Sequence, residues 1–211
     1  MIKAVIFDLD GVIVSTDHLH YLAWKKMADK EDIYFDEKIN HRLRGISRMA
    51  SLDIILEKAN RTYTAKEKEE LATYKNNVYK ELLKSLDKTD ILSNVIEVMK
   101  QLRNKDVKIA IGSSSKNTPI ILDQIGLLDS FDAIADGNDI TKSKPDPEVF
   151  LKAAHKLNIN PQACMVIEDA KAGIEAAKSA GMMAFAVGDA KSSDLADVAS
   201  DNLFDILQHL E

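Results

Sequence analysis

Apolar residues along this chain follow two rhythms. Short, nearly continuous apolar runs rich in β-branched residues fall at Ala4 to Phe7, Val107 to Ile111, Asp132 to Ala135, Met165 to Ile167 and Met183 to Val187. Runs of that length predict buried strands. Between most of them apolar positions recur at helical spacing, as in Val95, Val98, Met99 and Leu102. Thr118 to Gly126, Pro147 to Leu157 and Ala170 to Ala180 also read as helices. Strands alternating with helices need crossover connections, so the expected class is α/β with a parallel sheet.

One stretch departs from that alternation. From about Ser15 to about Asp90 only helical patterning is found, for example His18 to Lys30, Ala50 to Ala59 and Lys66 to Leu86. This predicts a helical domain at 15–90, inserted after the first strand of a core made of 1–14 and 91–211. Charge divides the same way. Residues 17–90 hold 15 basic and 14 acidic residues, net +1, whereas the rest holds 13 and 20, net −7. At 211 residues, with 45% hydrophobic and 29% charged positions, the chain can build a real core. A net charge of −6 argues against nucleic-acid and anionic-membrane partners. The single cysteine, Cys164, excludes an internal disulfide. The N-terminus enters a strand at once, and no apolar run approaches the roughly 18 residues of a membrane helix. A soluble cytoplasmic protein is expected.

The candidate chemistry lies at strand ends. In Asp8-Leu9-Asp10-Gly11 two carboxylates two positions apart point to one side, at the carboxyl end of the first strand. Open α/β sheets bind ligands at that end. A second acidic pair, Glu168-Asp169, ends another strand. Close carboxylates repel unless a cation or proton is shared, and Mg²⁺ suits such a carboxylate set. Asp-Gly alone would be a turn, and Glu168-Asp169 alone a favourable helix start. Their joint placement at two strand ends favours the site. Ser113, Ser114, Ser115, Lys116 and Asn117 form a hydroxyl-rich loop opening a helix, suited to an anion, and Lys144 can add a fixed positive charge.

Asp8-Leu9-Asp10-Gly11, the Ser113 loop, Lys144-Pro145 and Glu168-Asp169 resemble, in order, the four motifs of haloacid-dehalogenase-like phosphotransferases. The resemblance covers essentially the whole chain. It implies a Rossmann-like, doubly wound core with an α-helical cap domain, Asp8 as the nucleophile forming an aspartyl phosphate, and Asp10 as general acid/base. Mg²⁺ would be the cofactor, held among Asp8, Asp10, Glu168 and Asp169, with Asp10 offering its backbone carbonyl.

Substrate preference must come from the insertion. Thr16, His20 and Trp24, then Arg44-Gly45-Ile46-Ser47-Arg48 with Ser51, then Lys75-Asn76, together with Ser115-Lys116-Asn117, resemble the β-phosphoglucomutase branch of that superfamily. The resemblance implies interconversion of β-D-glucose 1-phosphate and glucose 6-phosphate through β-glucose 1,6-bisphosphate. The enzyme class is then an intramolecular phosphotransferase. Arg48 would grip the unreacting phosphate bidentately. Ser15 and Arg44 stand where the family usually carries aspartate and lysine. Taken singly, His20 reads as a cap histidine, Trp24 as core, Arg44 and Arg48 as a solvated face, Asn117 as a helix N-cap, and Lys75 as one of many lysines. The combination favours function. The alternatives are a Mg²⁺-dependent sugar-phosphate phosphatase on the same fold and a non-catalytic phosphosugar-binding module. The expected partner is a small phosphosugar, with no nucleic acid, no membrane and a monomeric chain.

Overall fold

In the computed structural model, which describes residues 1–43 and 46–211, the chain opens on β1 (Ala4–Phe7). Helices α1 (Asp17–Lys30), α2 (Glu37–His41), α3 (Arg48–Leu56) and α4 (Ala65–Leu83) follow. Then come α5 (Val95–Asn104), β2 (Lys108–Gly112), α6 (Thr118–Gln124), β3 (Ala133–Ala135) and α7 (Glu148–Leu157). The chain ends with β4 (Cys164–Glu168), α8 (Lys171–Ser179), β5 (Met183–Ala186) and β6 (Val198–Ala199). It divides into two compact units, Met1–Ser15 with Asp87–Glu211, and Thr16–Leu86.

The first unit carries a parallel six-stranded sheet in the order β3-β2-β1-β4-β5-β6. Every residue of β1 and β4 is buried, which explains why these strands read as unbroken apolar runs. Small residues let helices pack close to one face. Ala4, Ala110, Ala135, Ala184 and Ala186 share a core with Val149, Phe150, Ala153 and Ile174 from α7 and α8. Burying a ring such as Phe150 contributes roughly 1.5–3 kcal/mol. Strand order runs outward from β1 through β2 to β3, and on the other side from β4 to β6, so it reverses between β1 and β4. Phe7 pairs with Ile167 across that junction, and the next residues, Asp8 and Glu168, follow at the carboxyl ends of the two strands. Ligands bind at such a reversal in open α/β sheets.

The second unit is helical. Trp24, Met27, Ile33, Phe35, Leu52, Ile55 and Leu71 form its apolar core. Thr64 and Glu67 make a reciprocal cap at the start of α4, and Ser47 caps α3 by accepting from Ala50 N at 3.2 Å. Two elements were not expected from the sequence. Helix α2 has only five residues and is set by Asp36, whose carboxylate accepts from Ile39 N. Strand β6 has two, too few for a periodicity. Asp132, expected inside a strand, precedes β3, and its side chain accepts from Ile109 N and Lys108 Nζ. Among the described residues no helix is long and apolar enough to cross a membrane.

Candidate active site

Asp8 follows β1 directly, with its backbone N donating to Ile167 O at 2.9 Å. Lys144 Nζ donates to Asp8 Oδ1 at 2.6 Å and to Glu168 Oε2 at 2.7 Å, with the lysine side chain only 3% exposed. The ammonium also lies 4.7 Å from the Phe150 ring centroid. Burial alone would lower the Lys144 pKa. The charges of Asp8 and Glu168 outweigh it and hold the ammonium above its ordinary value. The other oxygen of Glu168 accepts from Asp169 N and Ala170 N, both at 3.1 Å. Both Glu168 oxygens are therefore engaged.

Asp169 completes the acidic group. One oxygen each of Asp8, Glu168 and Asp169 lies within 4.8 Å of the others. Burial pushes the Asp169 carboxyl up, and the charges of Asp8, Glu168 and Asp10 push it further. Glu168 is also raised, by burial and then Asp8, with Lys144 opposing. A cluster this crowded with negative charge fits a divalent cation, whose charge would relieve both shifts. Gly11 is needed for the approach. Its φ is +77°, and a Cβ there would fall 2.0 Å from Asp169 Oδ2. Asp10 is not one of these three carboxylates, though it is near enough for its charge to act on Asp169.

The serine loop runs from the end of β2 into α6. Ser113 N donates to Ala135 O at 3.1 Å, and Ser113 Oγ accepts from Ser115 N at 3.2 Å. Ser115 Oγ accepts from Asn117 N at 3.2 Å. Ser114 Oγ is buried and finds no hydrogen-bond partner among the described residues. An orphaned hydroxyl in this loop suits a phosphate oxygen. Lys116 is exposed, and Asn117 is buried at the N-cap position of α6 without making a side-chain capping bond. The capping role that Asn117 suggests from sequence is thus not observed. A turn unnoticed in the sequence braces this loop: Gly137 N donates to Ser115 O, and Asn138 Nδ2 donates to Lys116 O at 3.1 Å. Gly137 must lack a side chain, because a Cβ would meet Ser114 O at 2.4 Å. The Asp-Gly-Asn-Asp string at 136–139 was the available signal.

The helical unit brings together Thr16, His20 and Trp24, spaced by four at the start and along α1, with Lys75 on α4. Lys75 Nζ meets His20 Nδ1 at 2.7 Å and lies 4.7 Å from the Trp24 ring centroid, although Lys75 is only 2% exposed. Burial holds the His20 pKa well below its ordinary value, and the charges of Lys75 and Arg48 lower it further. An ammonium can only donate, so Nδ1 accepts, and the neutral ring carries its proton on Nε2. Trp24 belongs to the helical core. Arg48 is the half-buried first residue of α3, while Ser51 is buried one turn on. The Ser47 hydroxyl is engaged as the α3 cap, and Ile46 is half-buried. Arg44 and Gly45 lie outside the described residues. Tyr79, missed in the sequence, touches three of these residues; its position four after Lys75 on a buried stripe was the only sign.

The α/β sheet with its acidic strand ends defines a phosphotransferase-type site, and the chain belongs to the haloacid dehalogenase-like hydrolase family, whose model matches residues 2–181. It is 49% identical to the β-phosphoglucomutase of Bacillus subtilis over 88% of this chain and 83% of that protein. The crystal structure of β-phosphoglucomutase from Clostridium difficile superposes with a TM-score of 0.91 at 42% identity, covering 100% and 97% of the two chains. A phosphorylated carbohydrates phosphatase of Thermotoga maritima is 31% identical over 85% of this chain and 82% of its own length.

Proposed function

We propose that this chain interconverts β-D-glucose 1-phosphate and glucose 6-phosphate through an aspartyl phosphate and β-glucose 1,6-bisphosphate. The reading is supported by two sets of side chains suited in chemistry to a phosphate, one within each unit. One is Asp8 with Lys144 and the serine loop, and the other is Arg48 beside His20 and Lys75. A bisphosphate has two phosphates to hold, and 49% identity to a curated mutase supports the same reading.

In this mechanism phosphorylated Asp8 passes its phosphoryl group to the free 6-hydroxyl of β-glucose 1-phosphate, whose proton goes to Asp10, and the bisphosphate forms. An Asp8 carboxylate oxygen then attacks the phosphorus at the 1-position, the departing sugar oxygen takes the proton back from Asp10, and glucose 6-phosphate leaves with Asp8 phosphorylated again. Lys144 fixes the Asp8 carboxylate, and Ser113 and Ser114 donate to the phosphoryl oxygens. Arg48, Ser115, Lys116 and Asn117 hold the unreacting phosphate, while Thr16, His20, Ser47, Ser51 and Lys75 orient the sugar. Mg²⁺, held by Asp8, Asp169 and the Asp10 carbonyl with Glu168 adjacent, would neutralise charge on the transferring phosphoryl group. The helical unit acts as a cap domain that excludes water. An acidic chain acting on a small charged metabolite fits a monomer working in the cytoplasm.

The test is product analysis with β-glucose 1-phosphate, Mg²⁺ and a trace of β-glucose 1,6-bisphosphate. Glucose 6-phosphate should form with little free phosphate. Stoichiometric free phosphate would instead make the chain a sugar-phosphate phosphatase, as its Thermotoga relative is named.

A further inference from the structure

Tyr79 has no part in the chemistry above, yet it meets three residues assigned to the phosphosugar. Its ring stacks on His20 with centroids 4.1 Å apart and planes 28° apart. The same ring lies 4.6 Å from Lys75 Nζ, and its hydroxyl is 2.7 Å from Thr16 Oγ1. The residue is fully buried, between the start of α1 and the last turns of α4. Thr16 and His20 are one turn apart on one side, Lys75 and Tyr79 one turn apart on the other. His20, Lys75 and Tyr79 therefore touch one another in a closed set, and Thr16 joins it through the Tyr79 hydroxyl.

The hydrogen bond from Lys75 fixes one ring atom of His20 but not the plane of the imidazole. A flat partner stacked against the ring fixes that plane, and the Thr16 contact fixes the flat partner in turn. We propose that Tyr79 is a positioning residue that clamps His20 with Nδ1 toward Lys75, so that the imidazole offers Nε2–H to the phosphosugar. The lowered pKa of His20 under burial and the charges of Lys75 and Arg48 agrees with a neutral clamped ring. The role in turnover rests on the mutase reading, whereas the clamp does not.

The experiment uses the full chain with ¹⁵N-labelled histidine, because the protonated and bare nitrogens of a neutral imidazole resonate far apart. In the parent protein His20 should show one tautomer, protonated at Nε2. Tyr79→Met keeps an apolar filler but no flat face. It should give averaged ring nitrogens and an isomerisation kcat lower by on the order of 10- to 100-fold, with KM changed much less. Tyr79→Phe keeps the face but loses the Thr16 contact, and should fall between the parent and Tyr79→Met in both readouts. A tautomer mixture in the parent would overturn the clamp without any variant. Unchanged His20 nitrogens in Tyr79→Met would overturn it whatever the rate does. Averaged nitrogens with a full isomerisation rate would support the clamp and remove His20 from the mutase reading.

Discussion

The ammonium of Lys144 lies 2.6 Å from Asp8 Oδ1, joining residues 136 positions apart in the chain. Glu168 is bound to the same nitrogen and is only 1% exposed, so one buried cation holds two buried carboxylates. Removing the cation leaves both uncompensated. Lys144→Met should therefore cost about 3–5 kcal/mol in stability. Denaturant unfolding in the presence of a chelator measures this, and Glu168→Gln added to Lys144→Met should recover part of the loss. A loss under 1 kcal/mol would mean that Lys144 only touches these groups.

The two aspartates at the end of β1 should fail differently. Asp8→Asn keeps the shape and can still accept from Lys144, so the protein should fold, but no aspartyl phosphate can form. Asp10→Asn leaves the backbone carbonyl in place and should lower turnover by on the order of 10²–10⁴, the usual contribution of general acid–base catalysis. Turnover and acid-stable phosphoenzyme formation should be measured for both at saturating Mg²⁺. Ordinary turnover in Asp8→Asn would remove it as nucleophile.

Stability should depend on pH in a direction set by Glu168 and Asp169. Both carboxyls are raised in the folded state, first by burial and then by the charge of Asp8. The folded protein thus holds protons that the unfolded chain has released, and its stability falls as pH rises. In chelator, the decline should run from the ordinary carboxylate range upward through neutrality. Mg²⁺ binds the ionised carboxylates and should flatten the decline, adding about 2.7 kcal/mol at a hundred times its Kd. Thermal unfolding at several pH values with and without Mg²⁺ checks this. A stability that rises across that range in chelator would contradict it.

An Arg48 variant should separate a mutase from a phosphatase. A phosphatase holds one phosphate, at Asp8, whereas a mutase must also hold the unreacting one. Arg48→Ala should cost about 1.5–3 kcal/mol in isomerisation, on the order of 10- to 100-fold in kcat/KM. Phosphorylation of Asp8 by acetyl phosphate, which has no second anchor, should change little. Both rates are read in one preparation at matched Mg²⁺ and ionic strength. Equal losses would make Arg48 a structural residue.

Elements were legible wherever their cause is local. The apolar runs of β1, β2 and β4 are continuous because both faces of those strands are buried, and the spacing along α5 follows from one buried face. Helix α2 and strand β6 were illegible because five and two residues are too short for a period. Within the site, Asp8, Asp10, Glu168 and Asp169 stood out because paired carboxylates at a strand end are an expensive local arrangement. Tyr79 and Asn138 did not. A tyrosine on a helical stripe looks like core, and an asparagine after glycine looks like a turn; neither shows its partner.

By itself, then, the sequence determined the alternation of strands and helices, the parallel α/β class and the acidic pairs at two strand ends. These rest on periodicity and composition, which act over a few neighbouring residues. Only the tertiary structure decided that β1 and β4 lie side by side, which sets Asp8 next to Glu168. It also decided that Lys144 serves both carboxylates, and that Lys75 reaches His20 across 55 positions. Such pairings depend on how packed helices and sheet register bring distant segments together, and no local pattern encodes that.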